Sequence, residues 1–144
     1  MTIQKQEWKE FTRYIISHEY GSVMLNLYNK PQECGSKLYT AWIWGLYICP
    51  KYRRKGYAKL LLKEAERIAL ENGHKDVYME WDAKETPRDI LDFYVRSGYA
   101  LASDDVVLCK ELIGNKIKRM CLLNKDKLCN LCHECDVEIL NPRY

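Results

Sequence analysis

The residues best placed to do chemistry lie between Leu46 and Ala58. Leu46-Tyr47-Ile48-Cys49 is an apolar, strand-forming run that stops at Pro50. Lys51-Tyr52-Arg53-Arg54-Lys55 is cationic, and Gly56-Tyr57-Ala58 leads into an amphipathic helix. Backbone N–H groups at a helix start have no partner within the helix, and the helix dipole adds partial positive charge there. Such a turn attracts an anion. Gly56 and Ala58 let a ligand approach the backbone closely. Arg53, Arg54 and Lys55 add side-chain charge, with arginine suited to forked phosphate contacts. The order of strand, cationic loop and helix N-terminus therefore reads as a site for a phosphorylated ligand. The plainer alternative is a basic turn capping a helix.

Other residues with chemical potential lie downstream. Tyr94 carries a hydroxyl that is protonated at neutral pH, given a reference pKa of about 10, and so can donate a proton. Glu80, or Asp82 just beyond it, offers a carboxylate that can accept one directly or through water. Cys129, Cys132 and Cys135, with Cys121 and His133 nearby, have the spacing of metal ligands, and Cys-x-x-Cys is a standard chelating pair for zinc. An iron–sulfur cluster is a second use of the same run, and reduced surface thiols a third.

The elements that must position these groups follow from hydrophobic period and breakers. Residues 5–20 are ambiguous between helix and strand, with Tyr14-Ile15-Ile16 favouring a strand. Val23-Met24-Leu25-Asn26-Leu27-Tyr28 reads as a strand, and Asn29 to Ser36 as a loop. Leu38 to Cys49 is a long β-rich run in which Gly45 marks a bulge or bend. Lys59 to Glu71 is a helix whose stripe is Leu61, Ala65, Ile68 and Ala69, closed by Asn72-Gly73. Asp76 to Trp81 is a strand. Thr86-Pro87 opens a second helix that Gly98 stops, and Val106 to Leu112 is the next strand. The order β, β, α, β, α, β predicts an α/β (α+β) domain with parallel pairing around a central helix.

Arg53-x-x-Gly56-x-Ala58, placed after a strand ending in Pro50, resembles the acyl-CoA signature of the GNAT superfamily of N-acyltransferases. Leu91-Asp92-Phe93-Tyr94-Val95-Arg96-Ser97-Gly98-Tyr99 resembles the Phe-Tyr-x-x-x-Gly-Phe segment that closes the family's cofactor helix. The resemblance runs over roughly residues 38 to 112. It implies a mixed central sheet with the cofactor helices packed on it in three α/β/α layers, and acetyl-CoA as acyl donor. Leu46, Ile48, Arg53, Arg54, Lys55, Gly56, Tyr57, Ala58 and Lys59 would hold the donor. Ile48 would offer its backbone to the pantetheine amides as an added strand. Tyr94 would protonate the departing thiolate, and the carboxylate left to act as base is Glu80, or Asp82 just beyond it. Two places depart from the family pattern. The strand leading to Pro50 offers Tyr47 and no carboxylate, and Glu85-Thr86-Pro87 replaces the polar residue, commonly asparagine, before the second cofactor helix. The N-terminal stretch is also too short for the two helices that usually line the acceptor site. That site is expected to be open, or completed by the tail or by a second subunit in a homodimer.

Composition sets the frame. With 144 residues, 47% of them hydrophobic, the chain suits one globular domain. No apolar run approaches the ~20 residues needed to cross a bilayer, and the first residues lack a signal core. Seven cysteines in no disulfide-framework spacing suit a reducing cytoplasm. Residues 1–113 read as the acetyltransferase domain and 114–144 as a basic, Cys-rich extension. The segment from Lys110 to Lys127 carries a net +4; together with a whole-chain charge of +3, this does not call for nucleic acid. The expected function is acetyl transfer to a primary amine, on a small molecule or a peptide, by direct attack in a ternary complex. The alternative is a non-catalytic CoA-binding or interaction module whose tail binds a metal.

Overall fold

The computed structural model describes residues 1–34, 37–81, 88–101 and 107–112. Its elements are β1 (Thr2–Glu7), β2 (Phe11–His18), β3 (Gly21–Cys34), β4 (Lys37–Ile48), a 3-10 turn at Pro50–Tyr52, α1 (Tyr57–Glu71), β5 (Asp76–Glu80), α2 (Arg88–Arg96), β6 (Ala100–Leu101) and β7 (Val107–Glu111). Seven strands form one mixed sheet in the order β1-β2-β3-β4-β5-β7-β6. Neighbours pair antiparallel except β4 and β5, which run parallel on either side of the α1 crossover. This is the mixed α+β fold expected from the element order.

The first strands follow from side-chain alternation. In β3, Val23, Leu25 and Leu27 are buried and point at α1, alongside Ile16 of β2 and Ala41 and Ile43 of β4. Helix α1 answers with Ala58, Leu61, Leu62, Ala65, Ile68 and Ala69, and Leu91 and Phe93 of α2 join the same core. Asn72 ends α1 as its cap, donating from its side chain to the Ile68 carbonyl at 2.8 Å. No described helix is long and apolar enough to cross a membrane.

Three boundaries differ from the sequence reading. Residues 5–20 are not one strand: β1 and β2 form a hairpin over Trp8-Lys9-Glu10, closed by Trp8 N–H donating to the Phe11 carbonyl at 2.9 Å. The stretch from Asn29 to Cys34 continues β3 instead of looping. Pro31 is tolerated because it falls in the register break between Leu27 and Gln32, where its missing N–H costs no ladder bond. Helix α1 starts at Tyr57, two residues before Lys59. The proposed Thr86 cap lies outside the described residues.

Candidate functional site

The site begins at the break between β4 and β5. These strands meet at a single register point, Trp42 with Tyr78. Beyond it Gly45 takes φ +65, and the ladder with β3 shifts so that Gly45 and Leu46 together face Val23. This is a bulge in the predicted place, and it re-aims β4 away from its neighbour. The gap is lined on one side by Trp42, Ile43, Trp44 and Leu46 and on the other by Met79, Glu80 and Tyr94, and encloses about 230 Å³.

The opening continues toward the cationic loop. A second cleft of about 330 Å³ is lined by Leu46, Tyr47, Ile48, Arg53, Arg54, Asp89 and Ile90. Leu46 lines both clefts, so they adjoin. Cys49 N–H donates to the Tyr20 carbonyl on the β3 side at 2.8 Å. Successive backbone groups alternate in direction along a strand, so the N–H and C=O of Ile48 point toward the opening. That carbonyl already accepts Arg53 Nε–H at 2.9 Å. Arg53 therefore helps fold the loop, with its guanidinium 5.8 Å from the Tyr47 ring.

The cationic loop, whose Arg53 and Arg54 line the second cleft, leads into the N-terminus of α1. The first intrahelical bond runs from Leu60 N–H to the Gly56 carbonyl at 3.3 Å. The N–H groups of Tyr57, Ala58 and Lys59 lie ahead of it, with no side-chain cap and no acidic residue in the first turn. Arg54 at φ +63 and Gly56 at φ +85 are both left-handed. Backbone of this kind gathers successive amides around a concavity that suits an anion. A Cβ on Gly56 would meet nothing within 4 Å, so glycine is needed there for its backbone angle and not for space. Arg53, Arg54 and Lys55 are exposed around this turn. Tyr57 is pinned from below by stacking on buried Tyr20 at 4.1 Å.

Helix α2 delivers Tyr94. Phe93 is buried and Tyr99 anchors the end of the segment, its ring centroid 6.1 Å from that of Tyr94 in an edge-on arrangement. Tyr94 is thereby turned to the cleft that Glu80 lines from β5. All nine residues of the expected donor site fall on the β4–loop–α1 segment, and the acid and base candidates face one cleft. Cys129, Cys132 and Cys135 lie outside the described residues, and among those described no group of three or more His, Cys, Asp or Glu is placed to hold a metal. Zinc has no support among the described residues.

A model of the acetyltransferase (GNAT) family matches residues 4–99. The chain belongs to the GNAT acetyltransferase family. Solved structures agree in fold. The chain is similar to a protein assigned to the GNAT acetyltransferases from Desulfovibrio desulfuricans, at 14% identity and a TM-score of 0.51, over 72% of this chain and 70% of that one. It resembles the PaiA N-acetyltransferase of Thermoplasma acidophilum in complex with coenzyme A at 20% and 0.50, over 71% and 61%. A protein from Bacillus anthracis assigned as a streptothricin acetyltransferase, in complex with acetyl coenzyme A, matches at 17% and 0.51, over 73% and 64%. The chain thus spans about two thirds of the length of these structures. A sequence search of curated proteins finds no match.

This GNAT domain also contains features that its sequence pattern did not reveal. Glu66 is 5% exposed inside the α1 core. It accepts from Tyr99 O–H at 2.8 Å and from Lys110 Nζ at 2.9 Å. Burial, then the Glu66 charge, push the Tyr99 hydroxyl well above its ordinary value. The signal was present: Glu66 interrupts the apolar stripe between Ala65 and Ala69. His74 follows the Asn72-Gly73 turn, yet it is half-buried and its Nδ1 lies 2.8 Å from Thr40 Oγ1.

Proposed function

We propose that this domain transfers an acetyl group from acetyl-CoA to a primary amine. The observation that supports the reading is the single pairing point between β4 and β5, beside which two adjoining clefts share Leu46, one lined by Glu80 and Tyr94 and the other by Arg53 and Arg54 just ahead of α1. In this reading the pyrophosphate rests on the amides of Tyr57, Ala58 and Lys59 beside Arg54 and Lys55. The pantetheine arm lies along Leu46 to Ile48 and pairs with the outward-facing backbone. The thioester then reaches the cleft between Trp42 and Tyr94.

The amine attacks the thioester carbonyl directly, so that a C–N bond forms and the C–S bond breaks. Tyr94 donates its proton to the sulfur as it leaves. Glu80 takes the proton lost by the amine, directly or through one water. Preorganised backbone donors in the bulge near Leu46 to Ile48 would stabilise the charge that develops on the carbonyl oxygen. We place the transferase unit within residues 1–113, with the basic, Cys-rich segment 114–144 as an extension. A free-thiol release assay with an amine panel tests the reading. Release that depends on an amine is expected, while CoA binding with no turnover on any amine would favour a binding module.

A further inference from the structure

The sheet face opposite α1 carries an arginine in a built polar setting. Arg13 of β2, Asn26 of β3 and Trp42 of β4 lie in one register row. Arg13 Nε–H donates to Asn26 Oδ1 at 3.0 Å. The same oxygen accepts Trp44 Nε1–H at 3.1 Å, and Asn26 Nδ2 donates to Tyr28 Oη at 3.2 Å. Asn26 is 5% exposed, so this network fixes it inside the sheet. The guanidinium lies 5.1 Å from the Trp8 ring, 5.5 Å from Phe11 and 4.9 Å from Trp44. Stacked aromatic walls of this kind hold the guanidinium plane still and leave its forked edge available.

No carboxylate among the described residues pairs with Arg13. A half-buried cation held rigidly and left without a counter-charge is unfavourable unless something else supplies the charge. Trp44 connects this feature to the cleft, because it packs on Arg13 and also lines the gap with Glu80 and Tyr94. By strand alternation Trp42, Trp44, Tyr78 and Glu80 all project on this face. An anionic pole at Glu80 and a cationic pole at Arg13 therefore bracket one aromatic wall.

We propose that Arg13 recognises a carboxylate on the acceptor, so that the acceptor is an amine bearing a carboxylate several bonds away. This rests on the transfer reading above. The guanidinium sits over Asn26 of β3, two strands from Glu80 of β5, a lateral distance of at least about 10 Å, since β4 and β5 pair only at Trp42 and Tyr78 and Glu80 lies beyond that point. That exceeds the reach between the α-amine and α-carboxylate of one amino acid. It suits an ω-amino acid, or an amino acid acetylated on its side-chain amine.

The test compares matched acceptors on the intact chain. Lysine is set against 1,5-diaminopentane, and 6-aminohexanoate against hexylamine, with acetyl-CoA as donor and thiol release as readout. The carboxylate-bearing member of each pair is expected to show a kcat/KM roughly tenfold or more higher, most of it in KM, as a charge-assisted forked contact would give. Arg13→Gln should bring the ratio within each pair toward one, and Arg13→Lys should restore it only in part. A wild-type ratio near one, or a ratio that Arg13→Gln leaves in place, overturns the proposal. The wild-type comparison needs no variant, so a folding defect cannot shield it. Calorimetric binding of lysine and of 1,5-diaminopentane to the CoA-loaded protein separates the two readings. Preferential lysine binding without turnover would sink the transfer reading and leave the carboxylate site standing. Equal binding of the two, or binding of neither, would sink the carboxylate site.

Discussion

At the scale of single residues, the loop shows what each side chain contributes. Arg54 occupies a left-handed conformation at φ +63. For a non-glycine residue that costs roughly 1–2 kcal/mol, which is strain retained at a place where cationic charge is useful. Arg54→Gly relieves the strain but adds glycine's unfolded-state entropy of about 0.5–1 kcal/mol. The expected outcome is a melting temperature equal to or slightly above that of the parent, with weaker acetyl-CoA binding by titration. Tyr94→Phe removes the proposed acid while keeping the ring against Tyr99. Its kcat should fall by about a hundredfold or less, at or below the low end for general acid catalysis because thiolate leaves readily, with little change in KM for acetyl-CoA. Arg53, Arg54, Gly56, Ala58 and Tyr94 were legible in the sequence because their chemistry is local to a short segment. Arg13 was not, and Glu66 showed only as a break in an apolar stripe, because each acquires its meaning from residues on other elements: Asn26 and Trp44 for one, Tyr99 and Lys110 for the other.

At the scale of elements, the cleft is a consequence of strand geometry. A Cβ on Gly45 would lie 3.0 Å from Met24 Cε, and its φ of +65 disfavours any other residue. A Cβ on Gly21 would lie 2.1 Å from the Tyr47 carbonyl oxygen, a backbone atom with little room to move. Gly21→Ala should therefore push the end of β4 outward and cost about 1–3 kcal/mol, as overpacking does. It should weaken acetyl-CoA binding in parallel, which a titration beside a denaturant curve would show. The parallel crossover, α1, the bulge and the segment through Tyr99 were all readable from period, proline and glycine. The hairpin at Trp8-Lys9-Glu10 was not, since it contains no glycine, proline or asparagine to mark a turn. The passage of β3 through Pro31 was hidden for the opposite reason. A breaker was present, but the register gap made it harmless.

At the scale of the whole molecule, a buried charge group ties α1 to β7, the strand next to the sheet's edge. Lys110 of β7 pairs with Glu66 and sits 5.5 Å from the Tyr99 ring. Removing Glu66 strands a buried ammonium, so Glu66→Ala should cost about 3–5 kcal/mol. Tyr99→Phe, which removes one hydrogen bond to a carboxylate, should cost about 1–3 kcal/mol. Both are checked by chemical denaturation. Burial also holds the His74 imidazole below its ordinary value of 6.5. As pH falls through that value the unfolded chain takes up its proton first, so stability falls with pH until the folded pKa is passed. Denaturation between pH 7.5 and 5 should show this slope, and His74→Gln should flatten it. The element order made the mixed sheet and its crossover legible. The face opposite α1 was not, because strands from four places in the chain assemble it. The proposed donor site runs between a helix start with no side-chain cap and the gap lined by Tyr94. Its most direct test is a calorimetric titration of the protein with CoA and, separately, with pantetheine, which lacks the pyrophosphate. The account predicts one CoA site per chain, binding at least tenfold more tightly than pantetheine, with the advantage reduced in Arg54→Glu. Pantetheine binding as tightly as CoA, or no CoA binding at all, would contradict it.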